Sequence, residues 1–286
     1  MTKIVYFNGA LVDAADAAIA IDDGGWLHGA GLFETIRARN GRLFRYDAHV
    51  ERLRRSAERV LKPIERHALP GEETMRELLR RNELGDARVR LTVSAGPMRG
   101  AGSDSESLTI CAAASPLVGY PAELYQRGVQ VIVSDFRVSP TDPLAGHKTT
   151  AYLSRLLALR EAGRAHCTEA IWFTTENRLA EGSISNVFVI DGGTLKTPPI
   201  DTPVLPGVAR GAVLELARAE RMEALECPLT IDDLLDADEV ILTNVIMQVM
   251  PVIRVEKHDI GAGKVGPVAI RLREAYDELV RVESRR

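Results

Sequence analysis

The chain reads as an α+β protein of two domains, and three observations predict this. Short strand patterns mix with amphipathic helix patterns, without the regular βαβ rhythm of a doubly wound sheet. Two Asn-Gly pairs, Asn8-Gly9 and Asn40-Gly41, each join runs that read as paired strands, the mark of a tight hairpin. The Pro/Gly-punctuated stretch Ser115-Pro116-Leu117-Val118-Gly119-Tyr120-Pro121 has the composition of a linker. The expected division is an N-terminal α/β domain over 1–115, a linker over 116–122 and a C-terminal domain over 123–286, and a chain of 286 residues is long enough for two cores.

In the first domain, 3–7 and 10–12 flank the first Asn-Gly turn, and 32–39 and 42–46 flank the second. Asp47 is placed to cap a helix whose Val50, Leu53, Ala57, Val60 and Leu61 make one apolar stripe, stopped by Pro63. A second helix is expected over 72–83, ended by Gly85, followed by strands at 88–94 and 108–113. The segment between them, 96–105, is rich in Gly and Ser and reads as the lip of a site. In the second domain a strand at 129–134 leads through a Pro-punctuated loop to Lys148. The helix after it carries Leu153, Leu156, Leu157 and Ala162 on one face and stops at Gly163. Strands follow at 170–173, 186–190 and 194–197, then a helix at 208–219. A short helix at 230–235 has Thr230 and Asp233 as a capping box. Strands at 239–242 and 249–255 and an amphipathic helix at 266–281 close the chain.

Apolar content of 45%, charge of 27% and a net charge of -4 are ordinary for a globular protein and give no nucleic-acid or anionic-membrane footprint. Nothing at the start reads as a signal peptide, and no apolar run approaches a bilayer span. Cys111, Cys167 and Cys227 are scattered, so they read as reduced thiols of a cytosolic protein and not as a zinc site; no metal is expected.

Three features could carry chemistry. The chain has lysine only at 3, 62, 148, 196, 257 and 264, and Lys148 alone lies between a glycine-containing loop and an apolar helix, where desolvation would make its amine nucleophilic. Glu181 stands in a Gly/Ser-rich corner before an apolar strand, where a carboxylate could keep a pyridine nitrogen protonated. Pro206-Gly207-Val208-Ala209 opens a helix whose free N–H groups could bind an anion, and Arg52 could add a bidentate fork. Taken singly, Lys148 reads more readily as a helix-start lysine facing water, and Glu181 as a solvated turn acid.

Taken together, the order of Phe33-Glu34, His49-x-x-Arg52-Leu53, Lys148, Glu181-Gly182-Ser183-x-Ser185-Asn186-Val187-Phe188, Leu205-Pro206-Gly207-Val208-x-Arg210 and Pro251-Val252 resembles the class IV pyridoxal-phosphate enzymes over nearly the whole chain. That family holds branched-chain aminotransferases, D-amino-acid aminotransferases and aminodeoxychorismate lyases. The resemblance implies a two-domain fold type IV enzyme, like D-amino-acid aminotransferase, with pyridoxal 5'-phosphate between the domains and a homodimer. It implies that Lys148 joins covalently to the cofactor aldehyde and shuttles the proton. Glu181 would pair with the pyridine nitrogen, and Arg52 would grip the phosphate with the Gly207, Val208 and Ala209 backbone. Tyr152, Asn244 and Val245 would complete the cofactor contacts.

Within the family, Ala209 and Val245 stand where aminotransferases usually carry hydroxyls. The run from Thr243 to Val252 resembles the Asn-x-x-Met-x-Val-Met-Pro-Val pattern of aminodeoxychorismate lyases, and Phe33-x-Thr35 and Leu144-Ala145-Gly146-His147-Lys148 lean the same way. The lyase-like Arg-Gly pair after Val93 is replaced by Ser94-Ala95-Gly96, while Arg99-Gly100 remains. The expectation is a lyase that turns a small-molecule amine, 4-amino-4-deoxychorismate, into 4-aminobenzoate and pyruvate for folate synthesis. Lys148 or Thr35 would be the proton donor, and Phe33 and Arg99 would contact substrate. An aminotransferase on branched-chain L-amino acids or D-amino acids is the nearest alternative, and an idle binding member of the fold a more distant one.

Overall fold

Both Asn-Gly turns form, with Asn8 and Asn40 at φ of 44° and 52°, the left-handed region that asparagine and glycine tolerate best. In this computed structural model, which describes residues 3–98 and 107–285, the chain folds into two compact units. The first takes the chain up to Val118, and it also takes His147–Tyr152 and the residues from Val280 on. The second takes Gly119–Gly146 and Leu153–Leu279. The first unit thus ends inside the expected linker, while the lysine segment, expected with the second domain, is built into the first.

Among the described residues the first unit has an antiparallel sheet of β1 (Ile4–Phe7), β2 (Ala10–Asp13), β3 (Gly31–Arg39), β4 (Arg42–Leu43), β5 (Ala87–Ser94) and β6 (Thr109–Pro116), in the order β2-β1-β6-β5-β3-β4. Its helices are α1 (Gly24–His28), α2 (Tyr46–Val60) and α3 (Glu72–Arg81). Strand alternation sends Leu32, Ile36, Ala38, Val89, Leu91 and Val93 into a core with Val50, Leu53 and Ala57 of α2 and Met75, Leu78 and Leu79 of α3. The opposite face of β3 and β5 carries Phe33, Thr35 and Arg37 in register with Thr92, Arg90 and Arg88. Two expectations are corrected here. The second hairpin strand is cut to Arg42–Leu43, because α2 begins already at Tyr46. Asp47 does not cap that helix: the cap is Arg45 at φ 51°, without a side-chain hydrogen bond, and Asp47 lies in the first turn.

In the second unit, β7 (Val129–Val138), β8 (Glu169–Thr174), β9 (Leu179–Gly182), β10 (Asn186–Asp191), β11 (Thr194–Thr197), β12 (Ala224–Glu226), β13 (Glu239–Asn244) and β14 (Gln248–Val255) are ordered β12-β11-β10-β13-β14-β7-β8-β9, with β15 (His258–Asp259) paired to β14. The pairs β7–β8, β7–β14 and β11–β12 are parallel and the others antiparallel. The mixture is the α+β class that the sequence predicts. The helices are α4 (Ala122–Arg127), α5 (Leu153–Arg164), α6 (Val208–Ala219), α7 (Ile231–Leu235) and α8 (Pro267–Glu283), the last of which belongs to this unit up to Leu279. The Thr230–Asp233 capping box of α7 is present in both directions. The expected buried face of α5 is corrected: Ala158 and Ala162 are its buried residues, while Leu153 and Leu156 are 69% and 54% exposed. No helix among the described residues is long and apolar enough to cross a membrane.

One ionic contact ties α2 to β3 inside the first unit. Glu34 interrupts the apolar face of β3 and is buried, as are His49 and Arg52 of α2. Arg52 donates through Nε to Glu34 Oε1 at 2.8 Å and through Nη2 to Oε2 at 2.5 Å, and His49 Nδ1 lies 2.7 Å from Oε2. Burial by itself would raise the Glu34 pKa, but Arg52 and His49 outweigh it and hold the carboxyl at about 2 against an ordinary 4.5. Burial lowers the His49 pKa despite the pull of Glu34, so the neutral ring donates through Nδ1. The contribution of Glu34 to stability is therefore complete above pH 4.5 and is lost as pH falls toward 2. Glu34→Gln leaves Arg52 buried beside a neutral amide and is expected to cost about 3–5 kcal/mol. Urea unfolding across that pH window should show a stability slope that is shallower in the variant than in the wild type.

Candidate active site

Lys148 does not open a helix; α5 starts at Leu153, and the residues before it form an extended strap along β3. Phe33 N–H donates to the Lys148 carbonyl at 2.9 Å, Thr150 N–H to the Gly31 carbonyl at 2.8 Å, and Leu32 and Thr149 form an antiparallel bridge between them. The approach is close: a Cβ on Gly31 would lie 2.9 Å from Thr150 Oγ1 and from the Val93 carbonyl, so the glycine is what lets the strap lie flat. Thr150 Oγ1 donates to the Gly29 carbonyl at 2.7 Å, and His147 Nδ1 meets Ser56 Oγ of α2 at 2.9 Å. Burial lowers the His147 pKa, with Arg59 adding to it.

Anchored on both sides, the half-buried lysine holds its amine against aromatic rings. Nζ lies 4.6 Å from the Phe33 ring centre and 5.7 Å from that of Tyr152, and the two rings meet edge to face at 5.3 Å. Arg90, exposed on β5, sets its guanidinium 3.7 Å from the Phe33 ring centre and its Nε 3.3 Å from Thr92 Oγ1. Thr35 stands opposite Arg90 in the register, and Arg37 opposite Arg88. Two arginines directly across an antiparallel pair repel each other, and the paired positions on this face of β3 and β5, from Phe33 to Arg37, include no acid. Arg52 is fastened to Glu34, which lies between Phe33 and Thr35 in the sequence. Arg99 and most of the expected lip over 96–105 lie outside the described residues.

Within the second unit, Glu181 lies near the end of β9 and is buried. Its Oε2 accepts from Leu205 N–H at 2.9 Å and from Asn186 Nδ2 at 3.3 Å, and its Oε1 from Arg155 Nη2 at 2.6 Å. Glu169, fully buried beneath the following loop, accepts the N–H groups of Ala170, Ser183 and Ile184 and the Ser185 hydroxyl. Burial raises its pKa, and those four donors work against the rise. Asn186 also donates to the Leu205 carbonyl at 2.8 Å, tying the Glu181 corner to the start of α6. There Gly207 is the N-cap without a side-chain bond, so the first N–H groups of α6, from Val208 and the buried Ala209 on, receive no side-chain cap. A Cβ on Gly207 would fall 2.0 Å from Asn186 Oδ1, so this cradle admits no side chain. Asn244 Oδ1 accepts the N–H groups of Ile246 and Met247, and its Nδ2 donates to the Ile184 carbonyl at 3.1 Å. The turn bearing the buried Val245 is thereby tied to the Glu181 loop.

The donors of the two units, each taken by itself, fit an aldehyde cofactor with a ring nitrogen and a phosphate. The first offers an amine on an aromatic shelf and an arginine. The second offers a fixed carboxylate with an acceptor direction left on Oε1, and an uncapped helix start with no room for a side chain. Three residues of these sites had escaped the sequence reading. Arg90 carried a signal, since Arg88-x-Arg90-x-Thr92 alternates polar residues along a strand. Arg155 and Glu169 carried none: one looks like any helical arginine, and the other begins an ordinary apolar strand.

Known proteins agree with this chemistry. The family model described as amino-transferase class IV matches residues 31–255. A branched-chain-amino-acid aminotransferase of Escherichia coli (strain K12) is 31% identical over 282 residues, covering 95% of this chain and 91% of that protein. An aminodeoxychorismate lyase of Bacillus subtilis (strain 168) is 32% identical over 266 residues, covering 91% and 89%. A solved T.th. branched-chain amino acid aminotransferase with pyridoxamine 5'-phosphate superposes with a TM-score of 0.91 at 29% identity, covering 99% of this chain and 95% of that one. With a match of that extent and a donor set that suits the cofactor, the chain belongs to the class IV aminotransferase family and is a pyridoxal-phosphate-dependent enzyme.

Proposed function

We propose that the enzyme is a lyase converting 4-amino-4-deoxychorismate to 4-aminobenzoate and pyruvate in folate synthesis. The observation that carries this reading is the face holding Phe33 and Thr35, where the exposed Arg88 and Arg90 stand at paired positions that include no acid. An amine with two carboxylates answers that charge, whereas an aliphatic side chain would find little apolar surface there beyond Phe33 and Tyr152. The Bacillus subtilis relative and the hydroxyl-free Ala209 and Val245 support the same choice.

When bound, pyridoxal phosphate supplies the aldehyde carbon that takes up the substrate amine and the ring that accepts the electron pair. Lys148 Nζ is assigned the covalent link at rest and, once displaced, the proton on the carbon bearing nitrogen. The aromatic shelf of Phe33 and Tyr152 limits where that amine can go, so it stays beside the carbon it serves. Lys148 or Thr35 returns a proton to the departing enol-pyruvyl carbon, and aromatisation of the substrate ring drives the bond to break. Arg88 and Arg90 bind and orient the carboxylates, with Arg99 as a further contact. Glu181 accepts a hydrogen bond from the ring nitrogen, and Arg52 with the N–H groups following Gly207 takes the phosphate. Asn244 and Val245 shape the turn beside it. The homodimer is assigned on the apolar side chains of Ile21 and Trp26, which are 78% and 69% exposed in the single chain. The setting assigned is the cytosol.

An aminotransferase on branched-chain or D-amino acids is the second reading, favoured by the Escherichia coli relative and the solved T.th. aminotransferase. Incubation with aminodeoxychorismate should yield 4-aminobenzoate by mass, while L-leucine and D-alanine should leave the visible cofactor band unbleached; rapid conversion of either would sink the lyase. Arg90→Ala should raise KM for aminodeoxychorismate by about 10- to 100-fold, the loss of one charged hydrogen-bond partner, and change the visible band little. Borohydride treatment should fix the cofactor mass on the peptide containing Lys148, and Lys148→Ala should abolish that mark.

A further inference from the structure

Glu181 is more heavily engaged than a partner for one ring nitrogen requires. A carboxylate offers about four acceptor directions, two on each oxygen. Leu205 N–H and Asn186 Nδ2 occupy both on Oε2, and Arg155 Nη2 occupies one on Oε1. The remaining direction is on the oxygen that Arg155 already holds.

Arg155 is fixed in that place. Its Nη1 donates to the carbonyls of Gly182 and Ser183 at 3.0 and 3.1 Å, and its guanidinium carbon lies 5.2 Å from the Trp172 ring centre. Trp172 donates in turn to Ser183 Oγ at 2.9 Å and stacks on Phe136 with ring centres 5.5 Å apart. The loop after Glu181 is therefore gripped from two sides, its carbonyls by Arg155 and its N–H groups by Glu169. Arg155 is 20% exposed and Glu181 4%, so water screens their contact weakly.

We propose that Arg155 is a positioning residue that tunes the cofactor: by sharing Glu181 Oε1, it makes the carboxylate hold the ring proton less tightly than an unshared one would. The inference rests on the reading that Glu181 faces the ring nitrogen, and it gives that reading a direction. A ring proton held loosely weakens the electron sink. An elimination that makes an aromatic product draws its driving force from the substrate and tolerates the weaker sink, whereas amino-group transfer depends on the sink more heavily.

The test uses the full-length enzyme reconstituted with cofactor labelled with nitrogen-15 in the ring, and follows the ring-nitrogen resonance against pH. In Arg155→Gln the ring nitrogen should stay protonated to a pH higher by about one unit, the scale of a nearby opposite charge on a titrating group. Arg155→Lys, which keeps the charge, should recover at least half of that difference. A titration of Arg155→Gln coincident with the wild type, at an unchanged fold by circular dichroism, overturns the proposal; a merely structural role would lower Tm and leave the resonance in place. Trp172→Leu removes the shelf under the guanidinium and should move the titration the same way by a smaller amount. No movement there overturns the proposal even where Arg155→Gln does not fold. Glu181→Gln separates the two levels of inference. If it leaves the ring resonance unchanged, the placement of Glu181 fails and this proposal with it; if it moves the resonance while Arg155→Gln does not, only the role of Arg155 falls.

Discussion

The second unit depends on a short loop with no freedom left in it. Residues 182–185 join the strand that carries Glu181 to the strand that begins with Asn186, and a buried anion and a stacked cation hold the loop from opposite sides. Because Asn186 binds both the Glu181 carboxylate and the Leu205 carbonyl, the position of that loop also sets the entrance of α6. One arrangement of backbone thus fixes both the Glu181 carboxylate and the uncapped start of α6. Gly182 permits it: a Cβ there would meet Ser185 Oγ at 2.2 Å and Glu169 at 2.9 Å.

Two of the buried glutamates among the described residues, Glu34 and Glu169, are stabilised in different ways. Glu34 is met by Arg52 and His49, so its charge is cancelled by side chains of a neighbouring helix. Glu169 is met by backbone N–H groups and one hydroxyl, so its charge is spread over dipoles that belong to the loop itself. The first solution binds two elements together, and the second shapes one. The pKa directions follow: the Arg52 cation and the His49 hydrogen bond overcome burial at Glu34, and the dipoles only oppose it at Glu169.

Much of this was legible locally. The Asn-Gly turns, the run 208–219 and the Thr230–Asp233 box are decided by residues within a few positions, and each forms where its pattern stands. What was not legible depends on partners distant in the chain. The start of α2 is set by the backbone of Arg45, so a good capping residue at Asp47 ends up inside the first turn. The leucines of α5 look like a core stripe, yet the helix packs through Ala158 and Ala162, small residues that let it lie close. Glu181 stood out as an acid in a Gly/Ser-rich corner before an apolar strand, while the Arg155 and Glu169 that define its surroundings were invisible without the fold. Lys148 was singled out by its neighbours in sequence, but the strand that anchors it lies more than a hundred residues earlier.

That last distance has a consequence for synthesis. The strap from His147 to Tyr152 pairs along the start of β3 in the first unit's sheet, and the residues from Val280 on belong to the same unit. A nascent chain halted at Val118 would carry every strand of that sheet and still lack the pairing along the backbone of Leu32 and Phe33. An exposed backbone edge of this kind invites the wrong neighbour, so the ribosome must supply about thirty more residues before the first unit is safe from mispairing.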